Sequence, residues 1–220
     1  MLVSGNPSRR PSPAVCARTQ LCEAHRQKLI FHLLSSSSIV LDAYLACALS
    51  FAAENATDSS SSTKPGANDA RYKHAAAALV KLRSLTVADR LQTTSCLILG
   101  WQILHFVLKV GGHELLDICA QTLNLIKPNL GPHGTFDRGY SSFLISTVLT
   151  ETAEGLLKTR APTLRLDAAA MTPQVDGCVG IGGTLLPHLY DLAVINVEMC
   201  ENAKLGFNDF ADNHTIIRTP

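Results

Sequence analysis

Aromatic residues are scarce in this chain: seven Phe, four Tyr and one Trp make up 5% of 220 residues. Leu, Ala, Val and Ile must fill the core instead, and an apolar content of 46% is enough for a sizeable one. Excess charge of one sign is missing too. Nineteen Lys and Arg stand against eighteen Asp and Glu, a formal net charge of +1, which argues against a broad phosphate-binding surface. No continuous apolar run follows the N-terminal basic residues, so no secretory signal is read there. The strongest apolar run, Cys96–Val110, contains Gln102, His105 and Lys109. It falls short of the roughly 18 apolar residues a spanning helix needs, so it reads as a buried helix and no membrane partner is expected. No segment has strand period, and no internal repeat is recognisable.

The seven cysteines (Cys16, Cys22, Cys47, Cys96, Cys119, Cys178 and Cys200) are odd in number and scattered, several of them on apolar helical faces. That is the usage of reduced intracellular thiols acting as small hydrophobes. The sequons at Asn55 and Asn213 then carry no meaning.

What is present is helical period. Residues 1–22 read as a disordered leader, with Pro7, Pro11 and Pro13 among Ser and Arg. Arg9, Arg10, Arg18, Arg26 and Lys28 face a single acid, Glu23, in the first 33 residues. A mitochondrial transit peptide would share that composition, but no apolar stripe precedes Leu21. Helices are predicted over Glu23–Leu34, Ile39–Asn55, Asp69–Leu85, about Arg90–Gly112, His113–Lys127, Asp137–Thr159 and Thr184–Ala203. Their inward sets are read as Leu41, Tyr44, Leu45, Ala48 and Leu49 in the second, and Tyr72, Ala75, Ala76, Leu79 and Leu82 in the third. The fifth takes Leu115, Ile118, Cys119, Thr122, Leu125 and Ile126. In the sixth they run from Tyr140, Phe143 and Leu144 through Val148 and Leu149 to Ala153, Leu156 and Leu157. The last turns Leu185, Leu186, Leu189, Leu192, Ala193 and Asn196 to one side. The fourth segment, RLQTTSCLILGWQILHFVLKVGG, is apolar nearly all round and belongs at the centre of the core. The expected fold class is all-α: an irregular bundle of about seven helices packed around this central apolar helix.

Chemistry-bearing patterns are absent or incomplete. His105 and His113 are separated by a Gly-Gly stop and share no helix face, and no cysteine pair has zinc-ligand spacing. The aspartates stand singly. Glu151 and Glu154 lie on one helix face and read as solvated carboxylates rather than a catalytic pair. Gly180–Gly183 precedes a helix without a strand before it, so the dinucleotide context fails. No Ser occupies a Gly-x-Ser-x-Gly frame. Trp101 reads as a core anchor, with a pocket wall as the alternative. No catalytic, cofactor-binding or metal residue is expected, no cofactor is implied, and the chain is read as not an enzyme.

The order of segments carries more information than any motif. The helix DARYKHAAAALVKLRSL is followed by an apolar helix with central Trp101, then by HELLDICAQTLNLIKP. This order resembles the regulatory, or fungal-specific transcription factor, domain of fungal binuclear zinc-cluster transcription factors. Tyr72, Ala76, Leu79 and Leu82 match that family's first helical motif, and Leu97, Leu99 and Leu104 its second. Val110-Gly-Gly-His113 meets a third only in part, lacking the usual upstream Trp. In VDGCVGIGGTLLPHLYDLAVIN, Asp176, Gly180, Leu185, Leu186 and Leu189 occupy positions matching a later stretch. The resemblance spans about Leu29–Leu205. The six-cysteine DNA-binding cluster and its basic linker are not in these 220 residues. The chain reads as a fragment, a truncated gene model or a relative without that module.

The resemblance implies a regulatory-type helical domain over residues 23–205, with a loose tail over 206–220. It implies control of transcription through protein partners of the transcription machinery or a small-molecule inducer, no specific DNA binding by this chain alone, and a nuclear location, with cytoplasmic as the alternative. The other readings are a helical protein–protein interaction scaffold of stacked helix pairs and, third, a helical enzyme of unknown type.

Overall fold

The computed structural model of the chain describes residues 26–57, 65–131, 140–167 and 182–215. Among these residues it is all-α, with seven helices and no strand. The helices are α1 (26–35), α2 (Ser37–Thr57), α3 (Pro65–Ser84), α4 (Arg90–Lys109), α5 (Leu115–Ile126), α6 (Ser141–Lys158) and α7 (Gly182–Thr215). A short 3-10 turn at Lys127–Asn129 holds Pro128 and ends α5. The leader over residues 1–22 lies outside the described residues, as do the Gly180 end of the Gly-rich stretch, Cys16, Cys22 and Cys178.

Local chemistry fixes the ends. Asp89 caps α4, its side chain accepting from the Gln92 amide at 2.7 Å. Gly111, at φ +71°, follows α4 and stops it. Thr159 ends α6 in the left-handed region at φ +52°. The chain then folds back over Gly155, where a Cβ would lie 2.6 Å from the Arg160 carbonyl oxygen. That close approach is the reason a glycine stands inside α6. α7 runs on to Thr215, past the end expected at Ala203, because neither proline nor a Gly-Gly stop lies between Ala203 and Thr215.

The helices stack as antiparallel pairs. Asp42 near the start of α2 bonds His74 at the middle of α3 and Lys81 near its end. α2 and α4 run parallel: Ser36, just before α2, meets Ser95, Cys47 meets Gln102, and Phe51 meets Lys109. α5 runs back along α4, with Gly100 against Thr122. The beginning of α5 lies at the end of α6, where Arg160 Nη1 bonds Asp117 at 2.8 Å. α4, α6 and α2 thus point the same way. α7 packs on α6 and stands at the far end of the stack.

α4 is the central helix, as its composition predicts. Cys96, Leu97, Leu99 and Leu104 are at most 1% exposed. Among the described residues it is the one helix long and apolar enough to cross a membrane, and 72% of that window is buried inside the fold. Trp101 is half-buried, edge-on to Phe143 of α6 at 4.9 Å and beside the His105 ring at 3.9 Å.

Several faces turn differently from their predicted phase. In α2 the buried set is Val40, Ala43, Ala46, Cys47 and Ser50, whereas Leu41, Tyr44 and Ala48 face outward. An all-apolar helix carries no periodic contrast from which to read its phase. In α3, Ala75, Ala78 and Leu82 are buried while Tyr72 and Ala76 are exposed. In α6, Phe143, Leu144 and Val148 are buried as predicted, but Ala153 is exposed and Leu157 is 82% exposed. In α7, Leu186 and Ala193 are buried, but Leu185 and Leu192 are exposed.

The missing aromatic volume is made up partly by hydroxyls. Ser50, Thr93, Thr94, Thr122, Thr147 and Thr152 are all buried, and each donates to the carbonyl four residues earlier. That bond satisfies the hydroxyl inside its own helix and leaves the methyl or methylene free to pack.

Candidate functional site

Among the described residues, three polar groupings and a cleft are candidate places for chemistry. The first joins four elements. His32 of α1 is 1% exposed; its Nε2 lies 3.0 Å from the Tyr140 hydroxyl and its Nδ1 3.3 Å from Ser95 Oγ. Ser95 in turn donates to Ser36 Oγ at 3.1 Å. One neutral assignment satisfies every atom: Nδ1–H donates to Ser95, and Nε2 accepts from Tyr140. A Ser beside a His suggests a nucleophile and its base. Ser95 is 0% exposed, however, so no substrate atom reaches it. The grouping ties α1 to α4, α6 and the start of α2.

Burial holds the His32 pKa below its ordinary value, and the same cause lowers His105 despite its bond to the Trp101 carbonyl. A folded-state pKa below 6.5 means that the unfolded chain takes up protons first as pH falls. The stability these two histidines confer is present above about pH 6.5 and lost as pH falls through their lowered values. The melting temperature should therefore drop between pH 7 and pH 5, and a His32→Gln/His105→Gln chain should show a flatter profile by circular dichroism. An unchanged slope in that chain would refute the assignment. Glu151 acts in the opposite sense, since its raised pKa loses stability as pH rises through it.

Glu151 corrects the sequence reading most directly. It is 1% exposed, not solvated. Its carboxylate accepts the Thr163 amide at 2.9 Å and the Thr163 hydroxyl at 2.6 Å. Burial raises its pKa, and the Thr163 bonds and the charges of Arg160 and Lys127 oppose that rise. Glu154 instead pairs with Lys158 at 2.8 Å. The two acids have separate bonding partners, and the charges of both bear on the buried Cys119 thiol. Glu151 anchors the chain after α6 back onto that helix, and the buried Leu164 and Leu166 seal the returning segment onto the core.

The third grouping lies between α2 and α3. Asp42 accepts from His74 at 2.8 Å and from Lys81 at 2.7 Å, and these bonds, that of Lys81 first, hold its carboxyl below the usual carboxylate range. It reads as an inter-helix clamp. Among the described residues no group of three or more His, Cys, Asp or Glu side chains is placed to hold a metal ion. His113 is exposed, and its carbonyl accepts from Lys158 at 3.0 Å. Cys47, Cys96 and Cys119 are buried, and burial pushes their thiols up to about 11, 12 and 12. Thiols in that state are poor nucleophiles at neutral pH.

The cleft lies between α3 and α5. It holds about 210 Å³ and carries Arg83, Glu114, Asp117 and Gln121 above Leu79 and Leu82. That is smaller than the roughly 300–1,000 Å³ of common ligand pockets. Asp117 is already paired with Arg160. What remains are apolar faces turned to solvent. On α2 these are Leu41, Tyr44, Ala48 and Phe51, and on α7 Leu185, Leu192, Ile195 and Met199. Sequence reasoning assigned several of these to the core, and only their packing partners distinguish the two placements. No protein-family model, curated protein or solved structure matches the chain.

Proposed function

We propose that this chain is a transcription-regulatory domain of the fungal zinc-cluster type, acting through protein partners or a small inducer in the nucleus rather than through catalysis. The reading rests on the resemblance of the sequence segments Tyr72–Leu82, Leu97–Leu104 and Leu185–Leu189, and one observation supports it: all three are helical, on α3, α4 and α7. His32 and Glu151 are bonded within the fold, and uncovered apolar faces supply surface for partners.

The test is a tethered reporter. Fused to an unrelated sequence-specific DNA-binding domain, the chain should raise or lower transcription several-fold relative to that domain alone. No change in either direction would sink the regulatory reading. The chain alone should show no sequence preference in DNA anisotropy titrations at physiological salt. Base readout needs side chains delivered into a groove, and the leader's Arg9, Arg10 and Arg18 offer only salt-sensitive attraction. Salt-tolerant binding to one short site would contradict this.

A second reading has its own support. The parallel course of α2, α4 and α6, with α3 and α5 returning between them, is the geometry of stacked helix pairs. An interaction scaffold of that type would leave the reporter unchanged.

A further inference from the structure

The cleft between the end of α3 and the start of α5 carries two opposite charges that the fold does not use. Its apolar floor is the half-buried Leu79 with the buried Leu82 and Ile118. Arg83 borders it from α3, and Glu114 borders it from the start of α5. The nearby counter-charges are engaged elsewhere. Asp117, also at the cleft, pairs with Arg160 at 2.8 Å. Lys158 donates to the His113 carbonyl, next to Glu114 in the chain, and pairs with Glu154 at 2.8 Å. Glu114 precedes α5 but makes no capping bond through its side chain. Among the described residues, Arg83 and Glu114 form no ion pair with each other or with another group.

We propose that this cleft binds a small zwitterion of the amino-acid class: one carboxylate and one ammonium on a short aliphatic body. The Arg83 guanidinium, a planar fork of donors, takes the carboxylate. The Glu114 carboxylate accepts from the ammonium. The aliphatic body lies on Leu79 between them. A ligand with charge of one sign would leave either Arg83 or Glu114 unanswered. Size agrees with the assignment. The cleft's volume of about 210 Å³ equals roughly seven water volumes, and a five-carbon amino acid has about eight non-hydrogen atoms. Arg83 and Glu114 are both exposed, so solvent screens the pairing and affinity is millimolar. Two sources share this chemistry: an α-amino acid with an aliphatic side chain, and an ω-amino acid whose chain separates the two charges. The proposal is independent of the regulatory reading, and its test measures binding alone.

Methyl NMR titration of the full chain tests it, with L-leucine and δ-aminovalerate as probes and valerate and pentylamine as single-charge controls. At least one zwitterion should shift the Leu79, Leu82 and Ile118 methyl signals saturably, and the one that binds more tightly identifies the source. Each control should bind about tenfold more weakly, for want of one charge-assisted bond. Arg83→Gln and Glu114→Gln should each weaken zwitterion binding about tenfold, while Glu198→Gln, at an exposed acid on α7, should bind as the parent does. Unchanged methyl signals away from the cleft would show that the variants are folded. No saturable shift with either zwitterion, a control that binds as tightly, or cleft variants that bind as the parent does would each overturn the proposal.

Discussion

Leu144→Asp should leave no cooperatively folded chain, or lower the melting temperature by roughly ten degrees or more, while Leu157→Asp on the same helix should change it little. Leu144 is 3% exposed on α6, within the cluster that includes Phe143 and Val148. An ionised carboxylate there has no partner, and the cost is several kcal/mol, comparable with the whole stability of a marginal domain, about 5–15 kcal/mol. Leu157 is 82% exposed, and exposed substitutions away from special features stay within about 0.5 kcal/mol. The pair tests the rotational setting of α6 rather than its existence. Urea or thermal denaturation giving similar losses for both would show that the helix is turned from this setting.

The contrast between these two leucines shows how far the sequence could be read. Helix number, order and centre were legible, because α4 and α5 have apolar patterns bounded by clear stops: Asp89 before α4, Gly111 after it, and Pro128 after α5. Helix phase was legible where polar and apolar residues alternate sharply, as in α5. It was lost in α2, where every face is apolar, and in the second half of α6, where polar residues point inward. Glu151 and Thr152 are buried there, Glu151 by bonding Thr163 and Thr152 by bonding the Val148 carbonyl. Exposed position is the better guess for a glutamate in a helix, and only the return of the chain after Thr159 reverses it. The His32 grouping was illegible for a related reason. His32 and Ser36 are neighbours in sequence, but Ser95 lies 63 and Tyr140 108 positions beyond His32, and tertiary packing alone brings those two to it.

Gly100→Ala should destabilise the chain by about 2 kcal/mol, against the ordinary preference of a helix for alanine. Gly100 sits inside α4 at its crossing with α5. A Cβ placed there would overlap Thr122 Oγ1 and lie 2.5 Å from its methyl carbon. Overpacking of this kind costs about 1–3 kcal/mol and occasionally more. The helix propensity of alanine offsets about 1 kcal/mol of it. The clash is deep, and Thr122 cannot swing aside freely because its hydroxyl is bonded to the Ile118 carbonyl at 2.7 Å. The loss therefore wins. Its origin can be isolated by a double-mutant cycle with Thr122→Ala, which removes the two nearest atoms. The double variant should recover much of the Gly100→Ala loss, with a coupling of about 1 kcal/mol or more in urea denaturation, within the range seen for residues in contact. Additive losses would mean that α4 and α5 do not cross at this point, and the placement of α4 at the centre of the stack would have to be revised.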